Sequence, residues 1–410
     1  MATFAQEGVA RPAARIRRHD LDWLRAGAVA VVFLYHIARF FGGQYWELKN
    51  PHRSLVVDTL VGFIALWLMP LFFLLAGASS HFALRSQSPG RYLGSRTKRL
   101  LIPFVVGVFV LSPPQGYIEA ILYSSFRGSF LKFYPRFFSA RLAMRHRSLD
   151  WFFAGFGYHL WFLGFLFAYS VLALPLFRWL DGTSSGRAFV SKLAAWTRDW
   201  RLLVWVVPAA LVQMGLRFRF PNYLDVADFV YWLVFFVYGY LLFADGRFTR
   251  VVATLERAAW MVGVFAFLGL VTALCAGRLA GWVLHPSASA GFMLFQALCS
   301  LDAWAWVIFL LGFAARRLDF RSPALDYANE AVLPFYILHE PLVMMIGFFV
   351  VPWPIPVVIK FFCLAALSSM ATLALYEMVV KPTSLTRALF GMKAGERHAN
   401  RAHSRKLLVI

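Results

Sequence analysis

The sequence predicts an all-α membrane protein, a polytopic bundle of about ten transmembrane helices with both termini cytoplasmic. Three observations predict it. The 410-residue chain is 60% hydrophobic and 18% aromatic, which leaves too little polar sequence to cover a soluble globule. Long uncharged runs recur along it, each near the roughly 20 residues that a helix needs to cross about 30 Å of hydrocarbon. Its basic residues gather in the connectors between those runs, the distribution that orients membrane proteins. A soluble chain of this length would be two or more domains, and one bundle is the simpler arrangement here.

The spans are expected near 21–42, 56–84, 100–122, 156–178, 202–217, 227–244, 258–276, 291–314, 331–350 and 356–380. They form one transmembrane domain, 21–380, between a basic N-terminal tail (1–20) and a basic C-terminal tail (381–410). The third is interrupted by "SPPQG" at 112–116. Such a break is tolerated only where protein or a water-filled cavity covers the freed backbone. With the N-terminus inside, the cytoplasmic side holds 28 of the 41 Lys and Arg residues, counting Arg25. That bias sets both termini inside. Connector 123–155 resists it, being placed outside while containing Arg127, Lys132, Arg136, Arg141, Arg145 and Arg147. This connector suits an anionic or carbohydrate ligand, and equally an amphipathic segment on the lipid surface.

A net charge of +21 raises the question of nucleic acid. No compact basic module is present, so the charge is assigned to membrane orientation and to contact with anionic lipid. Cys275, Cys299 and Cys363 all lie in apolar stretches and are not spaced as metal ligands, so neither a disulfide framework nor a metal is expected. The first apolar stretch is too long for a cleavable signal and runs on into polytopic sequence.

Ionisable residues within spans are costly, which makes them functional candidates. In "DLDWLRAGAVAVVFLYHIARFF" (20–41), Arg25 and His36 are eleven positions apart. That places them on one helix face, about 16 Å apart along the axis, with Arg39 sharing the face. In "RYLGSRTKRLLIPF" (91–104), Arg96 and Arg99 lie about one turn apart, beside Lys98, at the mouth of the third span. Two guanidinium forks there can grip phosphate, although an ordinary positive-inside anchor has the same residues. His159 opens the fourth span, and His339 and Glu340 sit mid-span in "NEAVLPFYILHEPLV" (329–343), followed by Pro341. Glu377 is a further candidate carboxylate. "HRSLD" (146–150) matches an HxxxD pattern that arises easily by chance, and no Walker-type, HExxH or GxSxG motif is present.

Taken together, these stretches resemble the acyltransferase-3 family of integral membrane acyltransferases. The matching features are Arg-x10-His in the first span (Arg25, His36), RxxR after the second (Arg96, Arg99) and F-x-x-x-His late in the chain (Phe335, His339). "HLWFL" (159–163), "FYILHEPL" (335–342) and "ALYE" (374–377) are most similar to the glucan-modifying branch, membrane succinyltransferases of the bacterial inner membrane. The resemblance implies transfer of a succinyl or acetyl group from cytoplasmic acyl-CoA, as co-substrate, to a hydroxyl of a periplasmic glucan or other surface glycan. It implies His36 and His339 as catalytic residues and Arg25, Arg96 and Arg99 toward the donor. Arg39, His159 and Glu340 then stand on the acceptor side, and a partner glucan synthase is admitted. General-base catalysis by His36 and an acyl-histidine route both remain open, with His339 or Arg39 available to stabilise an oxyanion. The competing reading is a transporter or flippase that uses the same histidines as a proton relay.

Overall fold

The computed structural model describes residues 18–143 and 149–393. Arg11, Arg15 and Arg17, the chain from 394 onward, and His146, Arg147 and Ser148 of the HRSLD pattern lie outside those residues, as does the side chain of Asp150. All regular structure among the described residues is helical.

Ten segments are long and apolar enough to cross a membrane. They are α1 (His19–Phe41), α2 (Leu55–Leu84), α3 (Pro89–Tyr123), α4 (Phe153–Leu172) and α5 (Asp199–Leu216). The chain continues with α6 (Val226–Ala244), α7 (Gly246–Cys275), α8 (Ala290–Arg317), α9 (Pro323–Val350) and α10 (Val357–Val380). Each expected span has its helix, and the ends differ where polar sequence is helical. Segment α7 begins at Gly246 rather than near 258. The Asp245 side chain caps its first turn by accepting from the Arg247 amide at 2.9 Å. Glu256 is buried there because Arg316 and Arg317 of α8 pair with it at 2.9 and 2.6 Å. A run of apolar residues cannot reveal a helix whose polar groups are satisfied by a neighbour.

The "SPPQG" interruption is a kink. One helix ends at Val110 and the next starts at Ser112. Proline has no N–H, so Pro113 leaves the Phe109 carbonyl without its helical partner. Tyr134, from an outer amphipathic helix (Phe130–Leu142), donates its hydroxyl to that carbonyl at 3.0 Å. The helix turns Phe133 and Phe137 inward and leaves Lys132 and Arg136 exposed. The chain stays ordered for some residues beyond 381. A short helix (Ser384–Leu389) folds back, Arg387 donates to Glu330 at 3.1 Å, and Phe390 and Met392 pack beside Tyr376 and Val380.

Segment α1 runs through the bundle against α2, α8, α9 and α10. Its neighbour α2 crosses α6 at backbone contact. A Cβ on Gly77 would overlap the Phe236 carbonyl, and one on Gly239 would overlap the Leu74 carbonyl. Close approach of this kind is how helices gain contact in lipid, where apolar side chains alone give little preference for protein over tails. Trp232 of α6 stacks on Phe73 of α2 (centroids 5.5 Å) and on Trp161 of α4 (5.0 Å), which ties α4 to the same core.

Gly77→Ala and Gly239→Ala should each destabilise the bundle by about 1–3 kcal/mol, because the overlap is with backbone that cannot step aside. The check is a lower thermal-unfolding midpoint in detergent for both variants, beside an unchanged midpoint for Gly62→Ala, where a Cβ meets open space.

Candidate active site

Three helices bring their ionisable residues to one place. His36 lies two residues before the regular part of α1 ends at Ala38. His159 lies in the tight turn Tyr158–Leu160 within α4. His339 and Glu340 are buried in the middle of α9. The His36 and His339 rings are almost parallel, with centroids 5.1 Å apart. The Phe335 ring is also nearly parallel to His339, with centroids 6.1 Å apart.

Hydrogen-bond partners fix where the protons sit. His339 Nδ1 is 2.7 Å from the Tyr336 carbonyl, which only accepts, so Nδ1 carries the hydrogen. In the neutral ring Nε2 is then the bare nitrogen, and it faces His36 Nδ1 at 3.0 Å. His36 Nδ1 is also 3.1 Å from Glu340 Oε2. Both neighbours are acceptors, so His36 holds its hydrogen on Nδ1 and presents the lone pair on Nε2. No described residue hydrogen-bonds that nitrogen, and the side chain keeps 11% of its surface accessible. A carboxylate behind an imidazole with the opposite nitrogen free is the arrangement of a general base or nucleophile.

His159 has a different tether. Pro341 has no N–H to offer the Ile337 carbonyl one turn back. His159 Nε2 reaches that carbonyl at 3.2 Å and the Tyr336 carbonyl at 3.1 Å. It therefore donates from Nε2 and turns Nδ1 toward Glu340 Oε1, 3.6 Å away. The Tyr336 hydroxyl donates to the His159 carbonyl, closing the link between α4 and α9. His36, His339 and Glu340 also form a group able to hold a metal ion, one donor atom from each lying within 4.8 Å of the others. The 3.0 Å between the two ring nitrogens is equally the length of a hydrogen bond.

The basic candidates gather toward the N-terminal end of α1. Arg25 donates to Asp22 at 3.2 Å and to the Ser79 hydroxyl at 3.1 Å. Arg96 donates to the Ser80 hydroxyl at 3.0 Å, with its guanidinium 5.0 Å above the Tyr92 ring. Arg99 is exposed and within electrostatic reach of both arginines. Among the described residues no carboxylate pairs with Arg96 or Arg99. A π-helical turn, Thr97–Leu101, carries Arg99. Such turns are frequent at functional sites.

Arg39 sits at the opposite end of α1, outside the histidine cluster. It lies 5.0 Å from the Trp46 ring and donates to the Tyr35 hydroxyl at 3.0 Å and to the Tyr45 carbonyl. Trp46 in turn lies 5.4 Å from His36. Sequence reasoning missed Trp46, its neighbour Glu47, and Tyr336; the loop residues carry no motif, and only Pro341 hints at the carbonyl geometry. Burial, and then the charge of Glu340, push the Glu47 carboxyl up to about 8. Glu377 is exposed and paired with Lys381 at 2.8 Å, away from this site.

A family model described as an acyltransferase domain matches residues 18–376. "Glucans biosynthesis protein C" of Salmonella schwarzengrund is 23% identical over 94% of this chain and 97% of its own length. The proteins of that name from Escherichia coli (strain SMS-3-5) and Shigella dysenteriae serotype 1 are each 20% identical over 95% of this chain and 98% of their own. No solved structure matches at comparable stringency. With ten membrane-length helices and a family match over most of its length, the chain belongs to the acyltransferase-3 family and is a membrane acyltransferase.

Proposed function

We propose that this protein is an O-acyltransferase of the bacterial inner membrane that moves a succinyl or acetyl group from cytoplasmic acyl-CoA to a hydroxyl of a periplasmic glucan or related surface glycan. The observation that carries the reading is His36 Nε2 standing free while Nδ1 is held by Glu340 and His339. The glucan is supported by the printed name of the relatives and the sidedness by the arginine bias of the connectors.

The donor's phosphates rest on Arg25, Arg96 and Arg99. Among the described residues no carboxylate compensates Arg96 and Arg99, so an anion relieves their mutual repulsion. From there to His36 is about 16 Å along α1, a span that the pantetheine arm covers. His36 Nε2 takes the proton from the acceptor hydroxyl as its oxygen attacks the thioester carbonyl. The C–S bond then breaks, the ester forms, and the proton passes to the departing thiolate, giving free CoA. Glu340 stabilises the transient imidazolium. His339 has no N–H left for an oxyanion, because Nδ1 is committed to the Tyr336 carbonyl. It serves instead by accepting from His36 Nδ1 and fixing that ring's tautomer.

Purified protein with acyl-CoA and glucan should release free thiol and yield an acylated glycan. Movement of acceptor without thiol release would favour a transporter. His36→Ala should lower transfer by about 10²–10⁴-fold in protein that still folds. Glu340→Gln keeps the shape and removes the charge, so kcat should fall about 10²-fold or more with little change in either KM. Reversing Arg96 and Arg99 to Glu should raise the KM for acyl-CoA selectively, read from initial rates at saturating glucan. Selective loss of acceptor affinity would overturn the donor assignment.

A further inference from the structure

The connector 42–54 is fixed over the C-terminal end of α1. Lys49 Nζ donates to the Arg39 and Gly42 carbonyls at 2.6 and 3.0 Å, supplying a cation where α1 leaves its last carbonyls free. The Asp58 carboxylate accepts from the Gly43 amide at 2.8 Å. Buried Lys360 of α10 donates to Asn50 Oδ1 at 2.9 Å and to the Val351 carbonyl at 2.6 Å. So many ties make the connector a rigid wall beside His36.

That wall contains three polar atoms that are buried and have no hydrogen-bond partner among the described residues: Arg39 Nε, Trp46 Nε1 and Glu47 Oε2. They belong to neighbouring residues. The Arg39 guanidinium is 5.0 Å from the Trp46 ring, Glu47 is the next residue, and the Arg39 charge acts on the Glu47 carboxyl. An orphaned buried polar atom forfeits its water without compensation, and three on neighbouring residues beside His36 suit a ligand that completes them. Two are N–H donors and one is a carboxyl oxygen, a set matched by adjacent hydroxyls whose oxygens accept and whose hydrogens donate. Glu340 from α9 and Glu119 from α3 face Glu47 with negative charge, Arg39 faces it from α1, and Lys49 lies on its own connector. Its carboxyl is therefore largely uncharged below pH 8, and the charge left on the wall is that of the Arg39 guanidinium, whose N–H groups donate to the lone pairs of sugar hydroxyls. Tyr45 and Tyr223 are exposed nearby, 69% and 60%, as flat apolar faces of the kind on which sugar rings stack.

We propose that Arg39 Nε, Trp46 Nε1 and Glu47 Oε2 form the acceptor subsite, gripping neighbouring hydroxyls of a neutral saccharide so that one of them meets His36 Nε2. The subsite rests on the transfer reading for its purpose, but its binding can be tested without turnover. Calorimetric titration of the purified full chain with a glucose trisaccharide is the test, run alongside titration with CoA. Trp46→Phe keeps an aromatic side chain but loses the pyrrole ring with its N–H, and should weaken trisaccharide binding about tenfold, the worth of one hydrogen bond. Glu47→Ala should weaken it similarly. Glu47→Gln, an uncharged isostere of the protonated acid, should restore it to near the parent value at pH 7. Equal trisaccharide affinity in the parent, Trp46→Phe and Glu47→Ala proteins would overturn the subsite. So would parallel loss of CoA affinity, which is what a merely structural role for the wall would give. Trisaccharide binding that obeys these expectations in a protein releasing no thiol from acyl-CoA would leave the subsite standing and sink the transfer reading instead.

Discussion

The contact between His36 Nδ1 and its two acceptors, Glu340 Oε2 and His339 Nε2, is the interaction on which the rest of the architecture depends. Three imidazoles and a carboxyl buried together at membrane depth would be prohibitive if any stood alone. They are tolerable because each ring has one nitrogen committed to an acceptor: His339 and His159 to backbone carbonyls of α9, and His36 to Glu340 and His339. What is left over is a bare nitrogen on His36, at Nε2, and a second on His159, whose Nδ1 faces Glu340. Structure and chemistry are thus two consequences of one hydrogen-bond inventory.

The irregularities of the helices serve that inventory. Pro341 frees the carbonyl that His159 reads, and Pro113 frees one that anchors the outer helix through Tyr134. The π turn at 97–101 carries Arg99 to an exposed position, and the early end of α1 lets the 42–54 connector fold back over His36. In lipid a freed backbone group must find a protein partner, so each break marks a place where another element has been drawn in. The glycine contact of α2 with α6 at Gly77 lies within a turn of Ser79 and Ser80, which accept from Arg25 and Arg96.

Much of this was legible in the residues. Hydrophobic runs of membrane length gave all ten helices, and eleven-residue spacing put Arg25 and His36 on one face. The cost of burying charge picked out His159, His339 and Glu340, which do meet His36. Less legible were features set by partners distant in the chain. The first turns of α7 look like a polar connector until Arg316 and Arg317 are seen to pair with Glu256. Helical periodicity puts Arg39 on the His36 face, but the helix tightens at 39–41 and hands its guanidinium to Trp46. Trp46 and Glu47 lie in a connector with no periodicity, and their place beside the site comes from Lys49, Asp58 and Lys360. The Tyr336 carbonyl that holds His339 Nδ1 lies one turn back on the same helix and carries no signal in the sequence.

The central claim is that one imidazole is served from two sides, by a thioester from the arginine end and a hydroxyl from the Trp46 end. Reconstitution in sealed vesicles, with labelled acyl-CoA confined to one compartment and glucan to the other, tests it most directly. The account predicts label on the glucan across the intact bilayer whenever the arginine end faces the acyl-CoA. Labelled product formed only when both substrates share a compartment would contradict it.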